Sequence, residues 1–357
     1  MKKLLSKRGL LLAAAALLAS QIWAQEVSKE FRKEFSADAG TITELNNRYG
    51  NIIVTGWNND KVEIYVKVSI EMPDKSRAER LLNMIDVQFG ESDGRVSAKT
   101  VIDEDFNFSG WGTNRKFSIN YTVKMPLNSG LEVVNRYGNV DIDELAGRVF
   151  IDVKYGNLTA AKLTRGNEKP LNRIEIGYGK MLVKSGNWLD LYLRYATLAE
   201  LPSCQALLID SKYSKLRIGT VNSAVITARY DNYSIDNINN LVIDKGYTTL
   251  SVNNAGKKIS IEGSYGSVNI DHVSKDFEMI EVNTRYTGVR LGIDPAASYR
   301  LEGRSSYSGI RVPEELLTVR KRIVENTSTE IEGLIGKNKD ATAYVKVESS
   351  YGSVKLY

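Results

Sequence analysis

Histidine and cysteine are almost absent from this chain of 357 residues, with only His272 and Cys204 present. A single cysteine excludes an intramolecular disulfide, and one residue of each type is too few for Cys₄, Cys₂His₂ or His₃ zinc sites. A nucleophile activated by histidine is improbable for the same reason. We expect His272 to lie at the surface and Cys204 to be a buried or idle thiol. No phosphate-binding loop, nucleophile elbow or metalloprotease motif occurs, and no cofactor or metal is expected.

A strong excess of charge is also lacking. The formal net charge is +5, but residues 1–24 contain four basic residues and no acidic one. Without them, 44 basic residues face 43 acidic ones, a net charge of +1. Because nucleic-acid-binding domains carry a clear basic surplus, nucleic acid is not an expected partner.

Long apolar runs are missing as well, since the longest, Leu10–Ala19, has ten residues. A membrane-spanning helix needs about 20. A basic start, a short apolar run and the small Ala24 before Gln25 predict a secretory signal peptide over residues 1–24. We therefore expect an exported protein, in the bacterial periplasm, at the cell surface or outside the cell, with no transmembrane segment in the mature chain.

The chain does contain a repeat built on tyrosine, as in NRYGNIIV at 47, NRYGNVDI at 135 and GSYGSVNI at 263. Four positions before the tyrosine, eleven of twelve units have an aliphatic residue, and three positions after it all twelve have an apolar one. Alternation on both sides predicts two short strands per unit with a bend between them. The anchors are Tyr49, Tyr137, Tyr155, Tyr178, Tyr195, Tyr213, Tyr230, Tyr247, Tyr265, Tyr286, Tyr307 and Tyr351.

The spacing of these anchors favours one architecture. Between Tyr137 and Tyr307 the steps are 17 to 23 residues, whereas propeller blades need about 40 or more. The pattern predicts an all-β chain folded as a parallel β-solenoid, or β-helix, of about twelve short coils. A left-handed hexapeptide helix shares this coil length, but no six-residue subrepeat is visible, and the handedness stays open. The tyrosines share parity with the apolar positions before them, which predicts an inward-pointing, stacked tyrosine column. Small or polar residues two positions earlier would then leave room for the hydroxyl and bond to it.

Two segments interrupt the repeat. Residues 57–125 alternate as strands around a helix that opens at Pro73 and includes Ala78, Leu81, Leu82 and Ile85, spaced to share one helix face. We expect this strand–helix–strand insertion to cap the start of the solenoid, where a bare strand edge would otherwise be exposed. The predicted organisation is a signal peptide at 1–24, a first strand and coil at 25–56, the insertion at 57–125, solenoid coils at 126–312, and a C-terminal insertion with the last coil at 313–357.

The stretches YTVKMPLNSGLEVVNRYGNVDI at 121–142 and IEGLIGKNKDATAYVKVESSYGSVKLY at 331–357, with the export signal and the insertion, resemble the putative-adhesin family of exported β-strand-repeat proteins. The resemblance covers nearly all of the mature chain. It implies the fold and, by analogy, surface attachment, and it carries over no catalytic residue. Tyrosine before the turn is a departure from the glycine or small residue that the family commonly has at the turn.

The outward positions carry the candidate site. The residue before the tyrosine is basic in seven units, and the residue three before it is acidic in six, which predicts adjacent rows of opposite charge. Arg194, Lys212 and Arg229 fall on consecutive coils with one acid, Asp210, among the neighbouring positions, and Tyr192 adds an outward ring. This basic ladder predicts weak binding of an anionic glycan. The expected role is a non-enzymatic envelope or surface protein, an adhesin-like structural or binding module whose partner is an envelope polysaccharide or another surface protein.

A polysaccharide-active β-helix enzyme, a lyase or hydrolase, is the alternative. Such chemistry needs clustered acids or a calcium site with a basic residue. The densest cluster is Asp103, Glu104 and Asp105, while Asp141 and Asp143 flank one inward residue. Acids are otherwise spread about one per unit, which favours the non-enzymatic role.

Overall fold

The computed structural model describes residues 25–108 and 115–357, so the predicted signal peptide at 1–24 lies outside the described residues. The described chain is all-β, with one α-helix, α1 (Lys75–Asn83), and a short 3₁₀ turn at Glu314–Leu316. The strands are β1 (Gln25–Ser36), β2 (Ile42–Arg48), β3 (Ile52–Trp57), β4 (Lys61–Met72), β5 (Ile85–Ser92), β6 (Arg95–Ile102), β7 (Lys116–Pro126), β8 (Gly130–Arg136), β9 (Val140–Leu145), β10 (Val149–Lys154), β11 (Leu158–Leu163), β12 (Asn172–Gly177), β13 (Lys180–Arg194), β14 (Thr197–Glu200), β15 (Ser203–Lys212), β16 (Lys215–Arg229), β17 (Asn232–Val273), β18 (Met279–Ile293), β19 (Tyr299–Ser306), β20 (Ile310–Arg311), β21 (Leu317–Val324), β22 (Ser328–Ile335), β23 (Tyr344–Ser350) and β24 (Val354–Leu356).

Two parallel ladders of strands meet at the tyrosines. The segments before each tyrosine pair in the order β2, β8, β10, β12, β13, β15, β16, β17 and β18. Those after it pair in the order β3, β9, β11, β13, β14, β16, β17 and β18. Register places Ile151 beside Val133 and Ile174, and all three are fully buried. Since burying such a side chain contributes about 1.5–3 kcal/mol, the stacked aliphatic columns hold the ladders together.

The insertion covers the first edge of both ladders. Strand β4 pairs antiparallel with β1 and β7, β7 runs parallel to β3, and β6 runs parallel to β2. The predicted helix is present. The side chain of Asp74 caps it by accepting from the backbone N–H of Arg77, and the helix buries Ala78, Leu81 and Leu82. Ile85 is instead the first residue of β5. No helix in the described part of the chain is both long and apolar enough to cross a membrane.

The last strands do not follow chain order. Strand β23 lies between β18 and β19 and runs parallel to both, while β19 pairs on its other side with β22, whose far neighbour is β21. The chain thus leaves a gap after β18, forms the β21–β22 hairpin, and returns to fill the gap. The β21–β22 hairpin therefore forms the last edge of the ladder of strands, although β23 and β24 come later in the chain.

The predicted inward direction of the tyrosines is wrong. All twelve anchors adopt a left-handed backbone, with φ between 51° and 61°. Eleven are 38–60% exposed, and Tyr49 is partly buried. Side chains alternate between the two faces only where the backbone is extended, whereas a left-handed tyrosine breaks the alternation and turns its side chain outward.

Candidate functional site: an exposed tyrosine ladder

The anchor tyrosines form one continuous row on the surface, which we call the tyrosine ladder. Neighbouring ring centroids are 4.4–5.3 Å apart and the ring planes differ by 2–18°. The predicted stacking is therefore confirmed, although on the outside of the molecule. Because β23 is inserted, Tyr351 lies between Tyr286 and Tyr307. Eleven steps at the spacing of neighbouring strands give a ladder roughly 50 Å long.

Holding tyrosine in this conformation costs free energy. A left-handed residue with a side chain costs about 1–2 kcal/mol, and glycine or asparagine would adopt it more readily. Each stacked aromatic pair stabilises the fold by only about 0.5–1.5 kcal/mol. Stability alone therefore gives weak reason for tyrosine at all twelve corners. A continuous exposed aromatic stripe is more typical of an interaction surface.

Polar side chains support the corners from inside. Asn47 and Asn135, two positions before a tyrosine, are fully buried and both donate from Nδ2 to the carbonyl of Gly50. Ser349 Oγ donates to the Gly352 carbonyl at 2.7 Å. The expected bonds from these residues to the tyrosine hydroxyls are therefore not formed, since the rings are on the opposite side of the backbone.

The predicted charge rows are present and partly neutralise each other. The guanidinium of Arg194 donates to the Asp210 carboxylate at 2.9 Å and to the Asp210 carbonyl. Arg229 binds Asp244 in the same way at 2.8 Å, and Arg136 repeats the arrangement with Asp152. Each arginine thus reaches diagonally to the acid on the neighbouring strand.

The structure brings the predicted glycan-binding residues together but changes their roles. Arg194, Lys212 and Arg229 occupy matched positions on adjacent strands, and Tyr192 lies beside Asp210. Asp244 supplies the second acid that the sequence argument left out. The Tyr192 ring is covered by the guanidinium of Arg173, 3.9 Å from its centroid. Lys212 has no ion pair among the described residues, and its ammonium lies 5.3 Å from the Tyr213 centroid.

A buried polar network beneath the ladder was not predicted. Asp231, 2% exposed, accepts from the backbone N–H groups of Ser214 and Arg229 and from the hydroxyl of Ser211. Burial raises the pKa of Asp231 against these hydrogen bonds. On β17, Lys245 is 1% exposed and donates to the Tyr265 carbonyl at 2.9 Å. Burial lowers the pKa of Lys245 to about 8.

Cysteine and histidine, the two rarest residue types, have the burial that the sequence predicts. Cys204 is buried, and desolvation raises its pKa to about 12, which makes it a poor nucleophile. His272 is exposed at the end of β17.

The acidic clusters of the alternative enzyme hypothesis lie at two separate places, one in a turn and one on a strand. Asp103, Glu104 and Asp105 are exposed in a turn, where Asp103 accepts from the backbone N–H of Asp105 at 2.9 Å. Asp141 and Asp143 flank the buried Ile142 on β9. Within residues 25–108 and 115–357, no three histidine, cysteine or acidic side chains come together as a metal site.

Comparisons with known proteins found similarity among solved structures. No family model matches the chain, and no curated protein matches it. A putative cell adhesion protein from Clostridium sporogenes is 11% identical, with 92% of this chain and 99% of that chain covered and a TM-score of 0.18. A putative adhesin from Parabacteroides distasonis is 10% identical over 92% and 97% of the chains, with a TM-score of 0.28. A putative lipid binding protein from the same organism is 10% identical over 93% and 97%, with a TM-score of 0.24. The first two names match the family that the sequence resembles.

Proposed function

We propose that this chain is a non-enzymatic, exported envelope or surface protein whose tyrosine ladder binds an extended anionic glycan. In this proposal the two ladders of strands form a rod, a parallel β-solenoid of about twelve coils. The observation that carries the proposal is the unbroken row of exposed, stacked tyrosine rings.

The exposed parts of the rings suit a long polymer. Each inner ring has a neighbour on both faces, so it presents its edge and its hydroxyl to solvent. The edge of an aromatic ring carries positive partial charge, and the hydroxyl both donates and accepts hydrogen bonds. These groups recur at every coil, so a straight chain lying along the rod would meet the same contacts repeatedly and gain avidity from many weak ones.

Cations beside the ladder support an acidic polymer. The guanidinium of Arg48 lies 5.2 Å from the Tyr49 centroid, and that of Arg285 lies 5.4 Å from the Tyr286 centroid. Lys154 and Lys212 project from the same row and have no ion pair among the described residues. Arg194 and Arg229 are already paired with acids, so we assign the main attraction for carboxylates to the unpaired cations.

Retention on immobilised polygalacturonate tests this proposal, with residues 25–357 eluted in a salt gradient and neutral dextran as control. The triple variant Tyr195→Asn, Tyr213→Asn and Tyr230→Asn removes three central rings, and asparagine tolerates the left-handed backbone. We expect it to elute at clearly lower salt. The matched Tyr→Phe triple keeps the stack and should fall between this variant and the wild type. Equal elution of all three proteins would contradict the proposal.

The charge assignment has its own test. Lys212→Ala should lower the salt concentration needed for elution more than Arg194→Ala or Arg229→Ala, because those two arginines are held by Asp210 and Asp244. The reverse order would favour the arginines of the original hypothesis. Release of reducing ends or unsaturated products from the polymer would overturn the non-enzymatic role in favour of a lyase or hydrolase.

A further inference from the structure

A separate pocket of about 400 Å³ lies at the N-terminal end of the tyrosine ladder. It is shallow and largely open to solvent, and its volume is at the small end of the range for ligand pockets. The described lining residues carry no charged side chain, although the guanidinium of Arg48 lies 5.2 Å from the centroid of the Tyr49 ring. They are Tyr49, Gly50, Asn51, Phe108, Phe117, Ser118, Asn120 and Tyr137.

The aromatic rings change orientation at this point. Phe117 lies 5.7 Å from Tyr49 with the ring planes at 47°, and Phe108 lies 5.5 Å from Phe117 at 42°. The parallel stack therefore ends here, and tilted rings form the wall of the pocket. Phe108 and Phe117 are partly buried, whereas rings inside the ladder have a stacked neighbour on both faces.

Polar groups surround these rings. Asn51 accepts from the backbone N–H of Asn139 through Oδ1, and its amide N–H₂ has no partner among the described residues. Asn120 accepts from the backbone N–H of Asn51 and donates to the hydroxyl of Ser118 at 3.1 Å. These bonds fix both amides in place. Gly50 forms the floor, where a Cβ atom would lie 1.9 Å from the Ile119 carbonyl oxygen.

We propose that this pocket binds one neutral hexopyranose ring. The apolar C–H face of the sugar packs on the tilted aromatic rings, and its hydroxyls bond to the amide of Asn51 and the hydroxyl of Ser118. The polar groups that line the pocket are uncharged amides and hydroxyls, and Arg48 reaches the Tyr49 ring without lining the pocket, so a neutral sugar is the expected ligand. The site goes beyond the proposed function, because its ligand is a single uncharged ring and not an acidic polymer.

Saturation-transfer NMR and shift titration with methyl α-glucopyranoside test the proposal, with sodium glucuronate as the charged comparison. Phe108→Ala removes a ring of the wall and should weaken glucoside binding by at least about fivefold. Phe106→Ala is the matched control, since Phe106 contacts Phe108 and Phe117 but does not line the pocket. It should change the affinity by less than about twofold.

Asn51→Asp provides a nearly isosteric second variant. It keeps the acceptor for the Asn139 N–H and removes the amide donor, so it should weaken binding even where Phe108→Ala disturbs the fold. The tyrosine-to-asparagine triple at 195, 213 and 230 should retain glucoside binding, and Phe108→Ala should retain polymer binding, which separates this site from the ladder. Absence of glucoside binding, tighter binding of glucuronate, or equal weakening by Phe106→Ala and Phe108→Ala would each overturn the assignment.

Discussion

Replacing Lys245 by methionine should stabilise the protein at neutral pH. Its ammonium is buried under the ladder with one hydrogen bond, to the Tyr265 carbonyl. The side chain fits because Gly263 lies beside it, where a Cβ would lie 2.9 Å from Lys245 Cγ. A buried ammonium that loses its water and gains a single acceptor is destabilising relative to a well-packed apolar side chain.

The size of the effect follows from the pKa. Burial lowers the pKa of Lys245 from 10.5 to about 8, which corresponds to roughly 3 kcal/mol at 1.36 kcal/mol per pH unit. Losing the hydrogen bond to Tyr265 costs about 1 kcal/mol. Lys245→Met should therefore be more stable than the wild type by roughly 2 kcal/mol at pH 7.

The difference should change with pH. Between about pH 8 and 10.5 the unfolded chain binds the lysine proton and the folded chain does not, so wild-type stability rises with pH across this window. Below pH 8 both states are protonated and the full penalty is present. Near pH 10.5 and above the penalty is gone, so Lys245→Met should lose its advantage and become slightly less stable than the wild type.

Urea unfolding of the wild type and Lys245→Met at pH 7, 8, 9, 10 and 10.5 measures this directly. Both proteins contain the same tyrosines, so the effect of tyrosine titration cancels when their free energies of unfolding are subtracted. Lys215→Met, at an exposed position of β16, corrects for the loss of one charge. A stability difference that stays constant across the pH series, or a variant that is less stable at pH 7, would refute the reasoning.

Three further outcomes follow from the packing. Gly156→Ala would place a Cβ 1.9 Å from the Gly138 carbonyl oxygen, so thermal unfolding should show a loss of about 1–3 kcal/mol; an unchanged melting temperature would show that the backbone segments at Gly138 and Gly156 move apart freely. Asp231→Asn should cost about 1–3 kcal/mol in urea unfolding, because the amide nitrogen cannot accept from Ser214 or Arg229. Ending the chain after Lys339 removes β23 and β24 from between their neighbours, so limited proteolysis should cut the segment from β19 to β22 rapidly. Survival of that segment as in the full chain would argue against the inserted strand.

Much of the local structure could be predicted because it depends on alternation. Aliphatic residues four before and apolar residues three after each tyrosine are buried with few exceptions, such as the partly buried Ile310. The insertion helix could also be predicted, because Ala78, Leu81 and Leu82 are spaced to share one helix face after Pro73. Each short segment must bury its own apolar face, so these patterns can be recognised without knowledge of the whole fold.

The sequence indicates the direction of the tyrosine side chains less clearly than it indicates the buried positions. The buried positions four before and three after the tyrosine are seven residues apart, an odd number that an unbroken strand cannot place on one face. One residue must therefore leave the extended conformation, and the structure shows that this residue is the tyrosine itself. In units such as that of Tyr137, a glycine follows the tyrosine and favours a turn at the glycine. The left-handed conformation of the tyrosine was therefore not predicted.

The amino-acid sequence by itself determined the buried faces on both sides of each tyrosine and the insertion helix. It also predicted short strands with a bend between them, which is wrong for β17, because this strand runs through Tyr247 and Tyr265 for 42 residues. Only the tertiary structure decided that the rings face solvent, that Arg229 meets Asp244 diagonally, and that β23 lies between β18 and β19. The first set depends on the polarity of residues close in the chain. The second depends on backbone dihedral angles and on which strands are neighbours in space, and residue polarity does not encode either of these.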